Sequence, residues 1–138
     1  MSNESRGIVL YLEDDRLVRQ AMAMLLSGEG YSIASVASGP QAIGLVARGL
    51  RPDLVIVDFN LDSEMNGAEA VEEVRKALGY APPVIMLTGD PATAEFPWIT
   101  DAPVWLARKP LDPKILLAAL PSLVELSRAT RRLKALAR

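Results

Sequence analysis

The sequence predicts an α/β domain built on five parallel strands wound with helices on both faces. Three observations predict it. Leu54-Val55-Ile56-Val57 is an unbroken aliphatic run that ends in Asp58, the pattern of a strand buried on both faces. Further short apolar runs alternate along the chain with segments whose apolar residues recur three and four apart. The connections between them are short, and only a parallel sheet with right-handed crossovers accommodates that alternation economically.

The elements follow in order. Ile8 to Leu12 forms the first strand, and Glu13-Asp14-Asp15 follows at its end. Three adjacent acids repel one another unless a cation or a helix N-terminus compensates. Asp15 is placed to cap the next helix, whose apolar stripe is Leu17, Val18, Ala21, Met22, Leu25 and Leu26, with Gly28 and Gly30 at its end. Tyr31 to Val36 reads as a strand. Ser38 and Gly39 open a second helix with Pro40 in its first turn, an expected buried stripe of Ala42, Ile43, Val46 and Ala47, and a stop at Gly49.

The Leu54–Asp58 strand is closed by the turn residues Asn60, Asp62, Ser63, Asn66 and Gly67. Its helix buries Ala70, Val71, Val74 and Leu78, with acids early and bases late, as the helix dipole prefers. Val84 to Leu87 is a fourth strand, ended by Thr88-Gly89-Asp90. The segment from Pro91 to Thr100 encodes a helix poorly, and a short one ending before Pro97 is expected. Pro103 to Ala107 is a fifth strand, ending in Arg108-Lys109-Pro110. Asp112-Pro113 starts a last helix with Ile115, Leu116, Ala119 and Leu120.

Composition narrows the chemistry. With 138 residues, half of them hydrophobic, one domain of ordinary size can bury a core. There is no cysteine and no histidine. That excludes disulfides, thiolate or imidazole metal sites and histidine-dependent triads. Any metal must be a hard, oxygen-loving one. No apolar stretch reaches the length of a membrane span and no signal-peptide pattern opens the chain, so a cytoplasmic location is expected. The net charge of −2 is uneven. Arg128, Arg131, Arg132, Lys134 and Arg138 sit in the tail; without these five, ten basic residues face seventeen acids, about −7 for the body. Such a body is a poor nucleic-acid surface.

In a parallel sheet, Glu13-Asp14, Asp58, Thr88 and Lys109 all fall at strand ends on one edge, where α/β folds bind ligands. Carboxylates there suit Mg²⁺. With a hydroxyl and an ammonium they provide what a transferring phosphoryl group needs, and Asp58 is the candidate nucleophile.

On these residues the chain resembles the receiver domains of bacterial two-component response regulators, over roughly Gly7 to Leu120. Glu13 and Asp14 match the acidic pair, Asp58 the phosphoacceptor, Thr88 the hydroxyl and Lys109-Pro110 the Lys-Pro pair. The resemblance implies a flavodoxin-like (βα)5 fold. It implies Mg²⁺ held by Asp14, Asp58 and the Asn60 carbonyl, with Glu13 acting mostly through water, and a cis bond between Lys109 and Pro110. It implies a signalling phosphoacceptor rather than a turnover enzyme, served by a histidine kinase or histidine phosphotransfer protein, with no direct nucleic-acid or membrane contact. Phe59-Asn60-Leu61, Thr88-Gly89-Asp90 and Lys109-Pro110-Leu111-Asp112-Pro113 are most similar to receivers of hybrid histidine kinases or their stand-alone relatives. Three features depart from the usual pattern. The loop from Asp58 to Gly67 is one residue longer and lacks a proline; Leu106 stands where an aromatic switch residue is usual; and the fourth helix is weak.

Other classes fit less well. Asp58, Asn60, Asp62, Glu64 and Glu69 fall on calcium-loop positions, but Ser63 stands where glycine is required and a strand precedes. A phosphatase of the haloacid dehalogenase type resembles Asp-x-Asp at its nucleophile, and here the second residue is Asn60. A degenerate receiver serving only as a binding module conflicts with the complete set of site residues.

The expected organisation is a receiver unit over residues 1–120 and a helical extension over 121–138. Pro121 is expected to kink or break the last helix. Beyond it Leu126, Ala129, Leu133 and Leu136 form a narrow stripe of coiled-coil spacing. That stripe packs back on its own domain or frays, or else it pairs with a second copy as a homodimer or with a kinase helix. With Leu106 lacking a ring, the extension is the expected route of output.

Overall fold

A computed structural model describes residues 5–61, 65–89 and 104–136. Five strands, β1 (Ile8–Leu12), β2 (Ser32–Val36), β3 (Leu54–Asp58), β4 (Val84–Thr88) and β5 (Val104–Arg108), form one sheet in the order β2-β1-β3-β4-β5. All neighbouring pairs are parallel. This is the doubly wound flavodoxin-like order, with its switch point between β1 and β3. The helices are α1 (Arg16–Gly28), α2 (Gly39–Ala47), α3 (Gly67–Leu78) and α4 (Pro113–Leu136). The segment expected to hold a short helix before Pro97 lies outside the described residues, as do Asp62 and Glu64 of the calcium-loop pattern.

Caps fix where the helices start. Asp15 accepts from the N–H groups of Leu17 and Val18 at 2.9 and 3.1 Å. Ser38 accepts from Gln41 N–H while Gln41 accepts from Ala37 N–H. Asn66 and Glu69 form a reciprocal capping box. Gly79 ends α3 at φ 76°, a left-handed position that suits glycine.

The central strands β3 and β4 are buried throughout, as their aliphatic runs require. Alternate residues feed two layers. Leu10, Leu12, Val55, Val57, Val84 and Met86 pack with Ala42, Val46, Ala70, Val71, Val74 and Leu78 of α2 and α3. Val9, Tyr11, Leu54, Ile56, Ile85 and Leu87 pack with Leu26 of α1 and Leu116, Leu120, Leu123 and Val124 of α4. β5 is an edge strand, and Trp105 and Leu106 on it are exposed.

Three expectations are corrected. Of the stripe expected to be buried in α2, Ile43 is half-buried and Ala47 exposed, because the core layer takes this helix at Ala42 and Val46, one turn apart. The apolar stripe of α1 is not buried as a whole: Leu17, Val18 and Ala21 are exposed and only Leu26 is fully enclosed. The helix leans on the sheet through its second half, and its first turns stand over the carboxyl edge. Pro121 does not break the last helix either. α4 runs through it for 24 residues, about 36 Å at 1.5 Å per residue. A proline inside a helix costs about 3 kcal/mol in isolation. Here Leu116, Leu120, Leu123 and Val124 are buried on both sides of it, and that packing holds both halves on the domain.

α4 therefore spans the sheet from one edge to the other. Near its far end, Arg128 and Arg131 pair with Asp53, a buried carboxylate just before β3 that also accepts from Ile8 N–H at 2.9 Å. The guanidiniums of Arg131 and Arg51 lie over the Tyr80 ring at 4.8 and 4.7 Å. Leu126, Leu133 and Leu136 remain exposed, and Ala129 is half-buried. Two of the tail's basic residues, Arg128 and Arg131, thus hold the helix to its own domain, while Leu126, Leu133 and Leu136 stay exposed.

Candidate functional site

The carboxyl edge gathers four side chains from three places in the sequence. β1 delivers Glu13 and Asp14, β3 delivers Asp58, and the segment after β5 delivers Lys109. With Tyr11, Asn60 and others they line a cavity of about 700 Å³. One carboxylate oxygen each from Glu13, Asp14 and Asp58 lies within 4.8 Å of the others. Glu13 and Asp58 are buried and Asp14 half-buried. On the far side of Asp58, Lys109 Nζ reaches its Oδ2 at 2.7 Å. Asn60 N–H donates to Asp58 Oδ1 at 3.0 Å. The Asn60 side chain is exposed, so this residue serves the site through its backbone.

Backbone bonds set this geometry. Glu13 N–H donates to Val36 O at 3.0 Å, and Phe59 N–H to Leu87 O at 2.8 Å. Thr88, buried at the end of β4, accepts from Lys109 N–H at 3.0 Å through its carbonyl, which fixes where Lys109 leaves the sheet. The Lys109–Pro110 bond is cis, as the resemblance implied. Thr88 is brought to the same edge as the carboxylates but is not among the residues lining the cavity.

Three contributors were not read from the sequence as parts of the site, although Gly67 was read as a turn residue. Arg19 donates to the carbonyls of Glu13 and Asp14 at 2.8 and 3.4 Å, holding the acidic turn from the first turns of α1. Its only sequence signal is a cation one helical turn after the Asp15 cap. Gly67 lets α3 approach β3: a Cβ there would stand 2.5 Å from the Asp58 carbonyl oxygen. Tyr11 lines the cavity from the middle of β1, and it is the one residue of that strand with a polar side chain.

The electrostatics follow from crowding acids out of water. Burial, then the hydrogen bond and charge of Asp58, push the Glu13 carboxyl up to about 8 despite Lys109. Burial and the charges of Glu13 and Asp58 raise the Tyr11 phenol well above its ordinary range. Glu13 Oε2 is sealed from solvent without a hydrogen-bond partner among the described residues. An all-oxygen, acidic set with an unused acceptor fits a hard divalent cation, which relieves the repulsion and keeps waters of its own. The strand and the helix α3 flanking Asp58–Glu69 do not form the helix–loop–helix of a calcium loop.

Known proteins agree with this architecture. The MtrA DNA-binding response regulator of Mycolicibacterium paratuberculosis is 36% identical over 90 residues, covering 65% of this chain and 38% of MtrA. The phyllosphere-induced regulator PhyR of Methylorubrum extorquens is 28% identical over 131 residues, covering 92% of this chain and 47% of PhyR. The chain thus spans less than half the length of these relatives. A CheY-like receiver domain protein from Methanospirillum hungatei superposes with a TM-score of 0.76 at 25% identity, over 90% of this chain and 98% of that one. The sequence profile of the response regulator receiver domain matches residues 9–120, most of the chain. An acidic edge on a 2-1-3-4-5 sheet, and a profile that runs from β1 into α4, lead to one conclusion: the chain belongs to the response regulator receiver domain family.

Proposed function

We propose that this receiver accepts a phosphoryl group on Asp58 from a histidine kinase or a histidine phosphotransfer protein. One observation carries the reading. Asp58 is buried at a strand end between two further carboxylates within 4.8 Å and an ammonium at 2.7 Å. In the reaction an Asp58 oxygen forms the new P–O bond, the P–N bond of the phosphohistidine breaks, and the imidazole nitrogen takes up a proton. Glu13, Asp14, Asp58 and the Asn60 backbone are the residues that would hold Mg²⁺, which supplies positive charge to the phosphoryl oxygens. Lys109 exchanges its contact with Asp58 for one with the new phosphoryl oxygens. Thr88, at the end of the neighbouring strand, supplies a hydroxyl to the same group. The scaffold does no turnover beyond its own phosphorylation and dephosphorylation, and a cytoplasmic location suits a phosphohistidine donor. Among the described residues no helix is long and apolar enough to cross a membrane.

The output partner is proposed to be a protein, since the acidic body disfavours nucleic acid. The receiver unit over residues 1–120 passes its state to the extension over 121–138. The exposed leucines of that extension are its surface for a second copy of the chain. Incubation with Mg²⁺ and acetyl phosphate, read by intact mass, tests the central step. One phosphoryl group is expected on the wild type and none on Asp58→Asn. Full labelling of that variant, or none of the wild type, sinks the assignment.

A further inference from the structure

β1 is aliphatic except at Tyr11. That side chain is fully buried, in the core layer of Val9, Leu26, Ile56, Leu87 and Leu116. Nothing in this packing calls for a hydroxyl, since phenylalanine fills almost the same volume. Yet the hydroxyl is there, sealed from solvent, with no hydrogen-bond partner among the described residues. A buried hydroxyl without a partner is a standing loss of stability.

Its position gives it a use. Tyr11 lines the cavity of Glu13, Asp14, Asp58 and Lys109, close enough for the charges of Glu13 and Asp58 to act on its phenol. Glu13 lines the same cavity, and its Oε2 is a sealed acceptor without a donor among the described residues. Two residues that line one cavity thus each carry a sealed polar atom without a partner among the described residues, one a donor and one an acceptor. Carboxylates gathered round a cation are acceptor-only and are oriented by donors behind them. Lys109 is the charged donor, already on Asp58. Asn60 N–H is a neutral donor, also on Asp58, and Tyr11 offers a neutral side-chain donor still without a partner among the described residues.

We propose that Tyr11 is a positioning residue of this site, whose hydroxyl donates, directly or through one water, to the Glu13 carboxylate when the acidic cluster takes up a divalent cation. The inference rests on the reading of that cluster as a cation site. It makes the tyrosine a feature of the loaded state that the metal-free protein carries at a loss.

Tyr11→Phe tests it in the full chain, because the ring is kept and only the oxygen goes. Two quantities are measured beside the wild type: the Mg²⁺ dissociation constant by calorimetry and the urea midpoint without metal. Loss of one hydrogen bond is expected to weaken Mg²⁺ binding about three- to tenfold. The metal-free midpoint should stay or rise, since an unpartnered hydroxyl is removed. These opposite directions separate a positioning role from a structural one. A wild type that binds Mg²⁺ beside a variant that binds it equally well overturns the Tyr11 inference and leaves the cation site standing. A wild type that does not bind Mg²⁺ overturns both. A variant that loses metal-free stability shows a structural partner for the hydroxyl and overturns the assignment.

Discussion

Asp53→Ala probes how the last helix is held, at the edge of the sheet opposite the acidic site. The side chain of Asp53 is 3% exposed and serves three donors: Ile8 N–H at 2.9 Å, Arg128 at 3.5 Å, and Arg131. Removing it strands the half-buried Ile8 donor, worth about 1–2 kcal/mol. The arginine contacts are discounted, since Arg131 is 28% and Arg128 42% exposed, and together they add about 1–2 kcal/mol. The expected loss is about 3 kcal/mol, which for a domain of this size lowers Tm by about 10 °C. Asp53→Asn keeps an acceptor for Ile8 and should cost about 1 kcal/mol. Thermal and urea denaturation of the full chain measure both. A double-mutant cycle with Arg131→Ala should give a coupling of about 1 kcal/mol. Mg²⁺ binding should be unchanged at the far edge. A loss under about 0.5 kcal/mol for Asp53→Ala, or no coupling to Arg131, would refute the clamp.

Gly67→Ala drives a Cβ to 2.5 Å from the Asp58 carbonyl oxygen and 2.8 Å from Phe59 Cα, both backbone atoms that yield only if β3 shifts. It should cost about 1–3 kcal/mol and slow labelling of Asp58, and an unchanged rate would show a more pliant strand end. The raised Glu13 carboxyl makes the folded, metal-free protein bind more protons than the unfolded chain between its ordinary value and about 8. Stability should therefore fall as pH rises through that window, and Glu13→Gln should flatten the slope; parallel slopes by denaturation at several pH values would contradict it. Leu126→Glu and Leu133→Glu lie on the exposed stripe and should change stability by no more than about 0.5 kcal/mol. If the extension joins a second copy, sedimentation should show the wild type dimeric and these variants monomeric. Truncation after Leu120 is a poorer test, because Leu123 and Val124 belong to the core and would be lost with the tail.

The sequence by itself determined the sheet and the acidic edge. Runs such as Leu54–Asp58 and Val84–Thr88 are buried on both faces, so each residue carries the signal and no partner is needed to read it. Strand ends in a parallel sheet share one edge, so Glu13, Asp14, Asp58, Thr88 and Lys109 could be placed together from order alone. Caps were equally legible at Asp15, Ser38 and Asn66, because a cap is a contact between residues two or three apart. Tertiary structure decided what depends on distant partners. Periodicity shows that a helix has an apolar face, but which apolar residues are covered depends on where the helix sits; Leu17 and Val18 of α1 stay in solvent for that reason. The local penalty of Pro121 argued for a break, and burial of Leu120, Leu123 and Val124 overrode it. The recruitment of Arg128 and Arg131 by Asp53 joins residues more than seventy positions apart, and no local pattern encodes it. Nor could a strand pattern distinguish Tyr11 from another buried aromatic. Its hydroxyl acquires meaning only where the fold sets it in one cavity with Glu13 and Asp58, sealed from the water that would otherwise satisfy it.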